Sequence, residues 1–212
     1  HFRGDRPDRE KAHQLSAGVA HRGPDDKGIW ADGPAVLVHR AFRVSRLAVS
    51  QPLVREHRVL TADARIYGAG VDSLLDTWIQ HGPAGLGRVK GPFAAAIWNS
   101  QEQVLWLIRD ATGRRPLFWA RQGARVAFAS EMAPLLGLPW VSRELAVDHL
   151  AEHLSFRYVH APRTLLRDVL CVPPGHAVRI DAAGARPVRW WAPDWAPMGS
   201  PAPDDRDVVD QV

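Results

Sequence analysis

His21-Arg22-Gly23-Pro24-Asp25-Asp26, followed by Gly28-Ile29-Trp30, marks the point where this chain changes character. Gly23-Pro24 stops any helix arriving from upstream, because proline lacks the backbone donor and restricts the residue before it. Upstream, residues 5–20 read as a helix. Pro7 suits its first turn, Asp8 and Glu10 complement its positive end, and Leu15 and Val19 lie four apart on one face. Downstream come short strand-like runs at 28–30, 35–40, 58–62 and 64–67. A second helix over 71–81 carries Leu74, Leu75, Trp78 and Ile79 as an apolar stripe and ends at Gly82-Pro83.

Four further runs, 93–99, 104–109, 117–120 and 125–129, are separated by polar or glycine turns and read as an antiparallel meander. Phe93-Ala94-Ala95-Ala96-Ile97-Trp98 is apolar on both faces, which places it at the centre of a sheet covered on both sides. Helices are expected near 130–136 and 144–154, and strands at 177–180 and 187–191. This gives a domain over 1–192, a Pro- and Gly-rich linker over 193–203, and the start of a following domain over 204–212.

A chain of 212 residues with 46% hydrophobic and 24% charged residues has the make-up of a globular domain. No apolar run reaches the roughly 20 residues of a membrane helix, so no membrane contact is expected, and a single cysteine fits a reducing cytoplasm. Lys+Arg 27 against Asp+Glu 23 leaves +4, nearly all of it arginine. Arg40, Arg43 and Arg46 come three apart, but acids are interspersed and no like-charge block exists, so nucleic acid is not an expected partner. The lone Cys171 rules out an internal disulfide and reads as a buried small hydrophobe. His149 and His153 have metal-ligand spacing on a helix, but no third ligand stands near them, so no metal is expected. Arg109-Asp110 reads as a strand-bridging ion pair.

Several of these motifs, in order, resemble the front domain of asparagine synthetases. They are the 21–26 run, Gly82, Gly91-Pro92-Phe93 with 94–98, Arg109-Asp110-Ala111-Thr112-Gly113, Phe128-Ala129-Ser130-Glu131-Met132, Tyr158-Val159-His160-Ala161-Pro162 and Pro173-Pro174-Gly175-His176. Together they cover about residues 5–192. The resemblance implies an α+β fold: a four-layer αββα sandwich of two antiparallel sheets, of the N-terminal-nucleophile hydrolase type. It also implies a class II glutaminase chemistry. That chemistry needs an N-terminal thiol, oxyanion donors, and an arginine with a carboxylate to hold the two charged ends of glutamine.

Carried over residue by residue, that pocket is degenerate. The family's His-Arg pair falls on His39-Arg40, and its substrate-binding arginine falls on Ala41. The oxyanion Asn-Gly pair falls on Asp63-Ala64, which brings a carboxylate to where negative charge develops. The substrate carboxylate falls on Gly70 or Asp72, depending on where the shortened 67–71 segment is gapped. The sequence opens His1-Phe2-Arg3-Gly4, and the resemblance places about six to eight residues, the family's cysteine among them, before His1. Each charge-assisted hydrogen bond is worth roughly 1.5–3 kcal/mol, so losing the arginine and an oxyanion donor costs on the order of 10²–10⁴ in rate. Degenerate front domains occur in β-lactam synthetases and lasso peptide cyclases.

The expectation is therefore a scaffold domain without cofactor of its own. It would be joined to a synthetase domain that uses ATP and Mg²⁺ to close an amide on a peptide or small carboxylate, with a second copy as a further partner. The rival readings are a working glutaminase whose first residues lie upstream of His1, and a stand-alone binding module. The shortened 67–71 segment should leave the pocket more open, or filled by Trp or Arg side chains.

Overall fold

A computed structural model describes residues 9–43 and 49–195. The expected helix start at 5–8, the chain opening at 1–4, Arg46, most of the expected linker and the 204–212 segment lie outside the described residues. Helix α1 (Arg9–Ala17) passes through a short 3-10 turn, Ala20–Arg22, into Gly23. Gly23 has φ −149°, which any residue can adopt, so the glycine is required for room and not for conformation. A Cβ there would fall inside the main chain of Arg40 and Ala41. The 21–26 run therefore works as a close crossing over strand β2 (Ala35–Ala41), which pairs antiparallel with β1 (Asp26–Asp32).

The main sheet has six antiparallel strands. They are β3 (Leu53–Arg55), β4 (Arg58–Ala64), β5 (Phe93–Asn99), β6 (Val104–Arg109), β10 (His176–Asp181) and β11 (Gly184–Arg189), in spatial order β11-β10-β6-β5-β4-β3. A second sheet of three strands has the order β8 (Arg125–Ala129), β7 (Phe118–Gln122), β9 (Val169–Cys171). Every residue of β5 is buried. Because side chains alternate across a strand, Phe93, Ala95 and Ile97 pack on Leu74, Leu75 and Trp78 of α2 (Asp72–His81). On the other face, Ala94, Ala96 and Trp98 meet Leu117, just before β7, Trp119 of β7 and Leu37 of β2. The outer face of the second sheet packs Ala120 and Val169 against Leu135 of α3 (Met132–Leu136). Helix, sheet, sheet, helix is the four-layer αββα sandwich expected from the sequence.

Three expectations need correction. The four middle strands are two hairpins in different sheets, β5–β6 and β7–β8, because the chain crosses between layers at the turn after Arg109. Residues 64–67 do not form a strand of their own. Ala64 closes β4, and beyond it Arg65 and Tyr67 donate main-chain bonds to Pro92 and Lys90 around Gly91, whose φ of +124° prevents a regular partner strand. The helix expected at 144–154 is a 3-10 turn, Val147–His149, followed by α4 (Leu150–Phe156). Strands β3 and β9, three residues each, add to the expected set.

Candidate functional site

A partly open cavity of about 1780 Å³ runs along the whole of β2, between α1 and β8, and reaches the C-terminal end of β4 and the N-terminus of α2. All six residues singled out in sequence line it: Arg40, Ala41, Asp63, Ala64, Gly70 and Asp72. Alternation along β4 sends Leu60 and Ala62 into the α2 layer and turns Thr61 and Asp63 toward the cavity.

Asp63 is the electrostatic centre. Its Oδ2 accepts a 2.8 Å hydrogen bond from Arg22 Nη2, and Arg115 Nε stands 3.4 Å from Oδ1. The second contact is an ion pair without hydrogen-bond alignment, since Arg115 Nε has no acceptor in line. Arg22 also donates to Glu131 Oε1 at 3.3 Å, and Glu131 accepts from His21 Nε2 at 2.9 Å. Burial works against the charge on Arg22, but the carboxylates of Asp63 and Glu131 outweigh it and hold the guanidinium above its ordinary range. The hydrogen bond from His21, helped by the hydrogen bond and charge of Arg22, holds Glu131 below the usual carboxylate range against the cost of burial.

A second set of bonds orders the wall beside Asp63. The side-chain amide of Gln51 pairs with Ala62: Ala62 N–H donates to Oε1 at 2.7 Å and Nε2 donates to Ala62 O at 3.1 Å. That fixes the amide orientation, so Nε2 also faces His39 Nε2 as donor at 3.5 Å, and His39 Nδ1–H is left to donate to Thr61 Oγ1 at 3.3 Å. Burial pushes the His39 imidazole below its ordinary pKa, against the pull of Asp63 and Asp26. A neutral ring fits this donor pattern. Next to it, Arg40 Nε is buried with no acceptor.

Arg109-Asp110 is not the expected ion pair. Arg109 donates to the carbonyls of Gly113, Arg115 and Val172 and to Cys171 Sγ. Asp110, 2% exposed, accepts from the main-chain N–H groups of Phe93, Thr112, Arg114 and Arg115 and from the Thr112 hydroxyl. The pair builds the turn that delivers Arg115 to Asp63. Cys171 is 7% exposed on β9, and burial raises its thiol pKa despite the nearby Arg109. It does not line the cavity. Among the described residues no group of three His, Cys, Asp or Glu is placed to hold a metal ion, and His149 instead bonds its Nδ1 to Thr164 O. No described helix is long and apolar enough to cross a membrane.

A glutamine amidotransferase domain family model matches residues 68–191, more than half of the chain. This chain belongs to that family. Its relatives place it with the asparagine-synthetase-like class II members. It is 28% identical to asparagine synthetase [glutamine-hydrolyzing] 1 of Bacillus subtilis, over 82% of this chain and 31% of the relative. It is 31% identical to a putative asparagine synthetase of Mycobacterium bovis, over 89% and 34%. The chain thus spans about a third of the curated relatives it matches. Among solved structures, glutamine phosphoribosylpyrophosphate amidotransferase from B. subtilis superposes with a TM-score of 0.61 at 17% identity, over 89% of this chain and 48% of that one. That likeness shows the shared fold.

Sequence reasoning misses Arg22, Arg115, Glu131 and Gln51. Arg22 reads in sequence only as part of a turn motif, and no local pattern announces a salt bridge that spans two layers.

Proposed function

We propose that this chain is a glutaminase-like domain that does not hydrolyse glutamine and serves as the scaffold of a longer, ATP-dependent amide-forming protein. The observation that carries this is Asp63 in the grip of Arg22 and Arg115. A tetrahedral intermediate needs hydrogen-bond donors facing its oxyanion. An ionised carboxylate only accepts, and it takes the Arg22 Nη2–H that would otherwise face the cavity, with Arg115 beside it as an ion pair. Ala41 supplies no charge to hold the substrate carboxylate. A hydrolase with these two changes lacks both transition-state stabilisation and substrate orientation, whatever nucleophile precedes it.

ATP and Mg²⁺ belong, in this reading, to the part of the parent protein that lies beyond this chain, where they activate a carboxylate of a peptide or small molecule. The cavity residues here take no part in that step. The test is ammonia release by the complete gene product, with and without added glutamine, alongside AMP and pyrophosphate formation from ATP on candidate carboxylates. No glutamine-dependent ammonia together with AMP formation is the expected result. Glutamine-dependent release abolished by thiol alkylation overturns the reading in favour of a working glutaminase.

A further inference from the structure

Twelve large hydrophobic side chains are exposed among the described residues, and six of them fall within one short stretch: Leu145, Val147, Leu150, Leu154, Phe156 and Tyr158. Isolated exposed hydrophobics are ordinary, but a concentrated ridge marks an interaction surface. Helix α4 buries none of its residues, so it contributes nothing to the domain's own core. Leu150 and Leu154 are four apart, on one face of it. Phe156, the last residue of α4, and Tyr158 beyond it add a second apolar group beside that face, with ring centroids 6.3 Å apart, and Tyr158 lies 4.6 Å from His160.

Hydrogen bonds brace the loop at the end of this segment. Glu152, only 15% exposed at its side chain, accepts from both the main-chain N–H and Nδ1 of His160 and from Arg163 Nη2 at 2.9 Å. Tyr158 Oη meets the other ring nitrogen of His160 at 3.0 Å. These bonds to His160, first among the causes, hold Glu152 below the usual carboxylate range. They pin a loop that turns through Arg157 at φ +62°. An apolar surface ordered in advance loses little side-chain freedom on docking.

We infer that the 145–158 ridge is the seat on which the remainder of the parent protein docks, a face of that remainder that is itself apolar. The inference rests on the reading of this chain as one part of a longer protein, since relatives run to about three times its matched length. The composition favours this occupant over a passing partner. Lasting interfaces are more apolar than transient ones, and six exposed large apolar side chains within residues 145–158 are a density that suits a lasting one. The polar groups Glu152, His160 and Arg163 brace the loop that follows α4.

The experiment compares maleimide labelling of the Leu154→Cys variant in the complete gene product and in this 212-residue chain, mapped by mass spectrometry. A Glu102→Cys variant, in the exposed β5–β6 turn, is the reference. Burial in an interface packed like a protein interior should slow labelling at position 154 by at least about tenfold in the complete protein and leave labelling at position 102 unchanged. Equal labelling at position 154 in both proteins overturns the inference. So does a gene product no longer than this chain, and so does slow labelling in the 212-residue chain that speeds up on dilution, which would make the ridge a contact between copies. Ammonia release is read separately on the same protein: glutaminase activity would sink the scaffold reading and leave the docking seat standing.

Discussion

Replacing Asp63 with Asn keeps the shape of the side chain and removes its charge, leaving Arg22 and Arg115 facing one another across the cavity edge. The Arg22 bond is 2.8 Å long between side chains each about 30% exposed, so it lies between a surface pair and a buried one. Exposed pairs contribute less than about 1 kcal/mol, and breaking a fully buried pair costs about 3–5 kcal/mol. Discounted for solvent, D63N should cost about 1–2 kcal/mol, a fall in Tm of about 2–8 °C for a domain of this size. R22M should cost less, because Asp63 keeps Arg115 and Glu131 keeps His21. Urea unfolding of D63N, R22M and the double variant closes a thermodynamic cycle, with an expected coupling of about 1–2 kcal/mol. Coupling below about 0.3 kcal/mol would show that the pair is loose in solution, and the claim that Arg22 is held away from a bound oxyanion would fall with it.

Other predictions concern neighbouring groups. His39 has its pKa depressed by burial, so below about pH 6.5 the unfolded chain takes up a proton that the folded chain refuses. Stability should therefore fall as pH drops through about 6.5 and below, and H39Q should flatten that limb of a Tm-versus-pH curve; an unchanged slope refutes the assignment. Asp110→Ala strips four main-chain donors of their acceptor and should cost about 3 kcal/mol or more in denaturant unfolding, given about 1–3 kcal/mol per stranded buried group. A loss under about 1 kcal/mol would mean that water replaces the carboxylate there. Cys171, buried with a raised pKa, should resist iodoacetamide at neutral pH until the chain unfolds, so rapid native-state alkylation would contradict its placement.

What depends on local periodicity is the most legible part of the sequence. A run such as 93–98, apolar at every position, can only be central, and β5 is buried on both faces. Helix α2 is legible from its stripe. The assignment of hairpins to sheets is not, because β5–β6 and β7–β8 have the same local pattern and differ only in what the turn at Asp110 does between them. Strands β3 and β9 escape because three residues carry no measurable alternation. At the site, the residue-by-residue match brings Ala41 and Asp63 to one cavity, but the partners of Asp63 come from the opening motif and from the turn that precedes β7. The same limit hides Gln51, whose contribution is a side-chain amide standing in for main chain.

That amide has a consequence for the sheet's margin. Strand β3 covers β4 only as far as Leu60, and past that point the N–H and C=O of Ala62 are closed by the Gln51 side chain alone. The outermost hydrogen-bonding position of a six-stranded sheet is thus plugged by one rotatable group rather than by another strand. A substitution at Gln51 would uncover a pairing site for foreign chains. Its first symptom would be loss of soluble yield, so a Gln51 variant that fails to accumulate would report on an unsealed strand edge before it reported on the cavity.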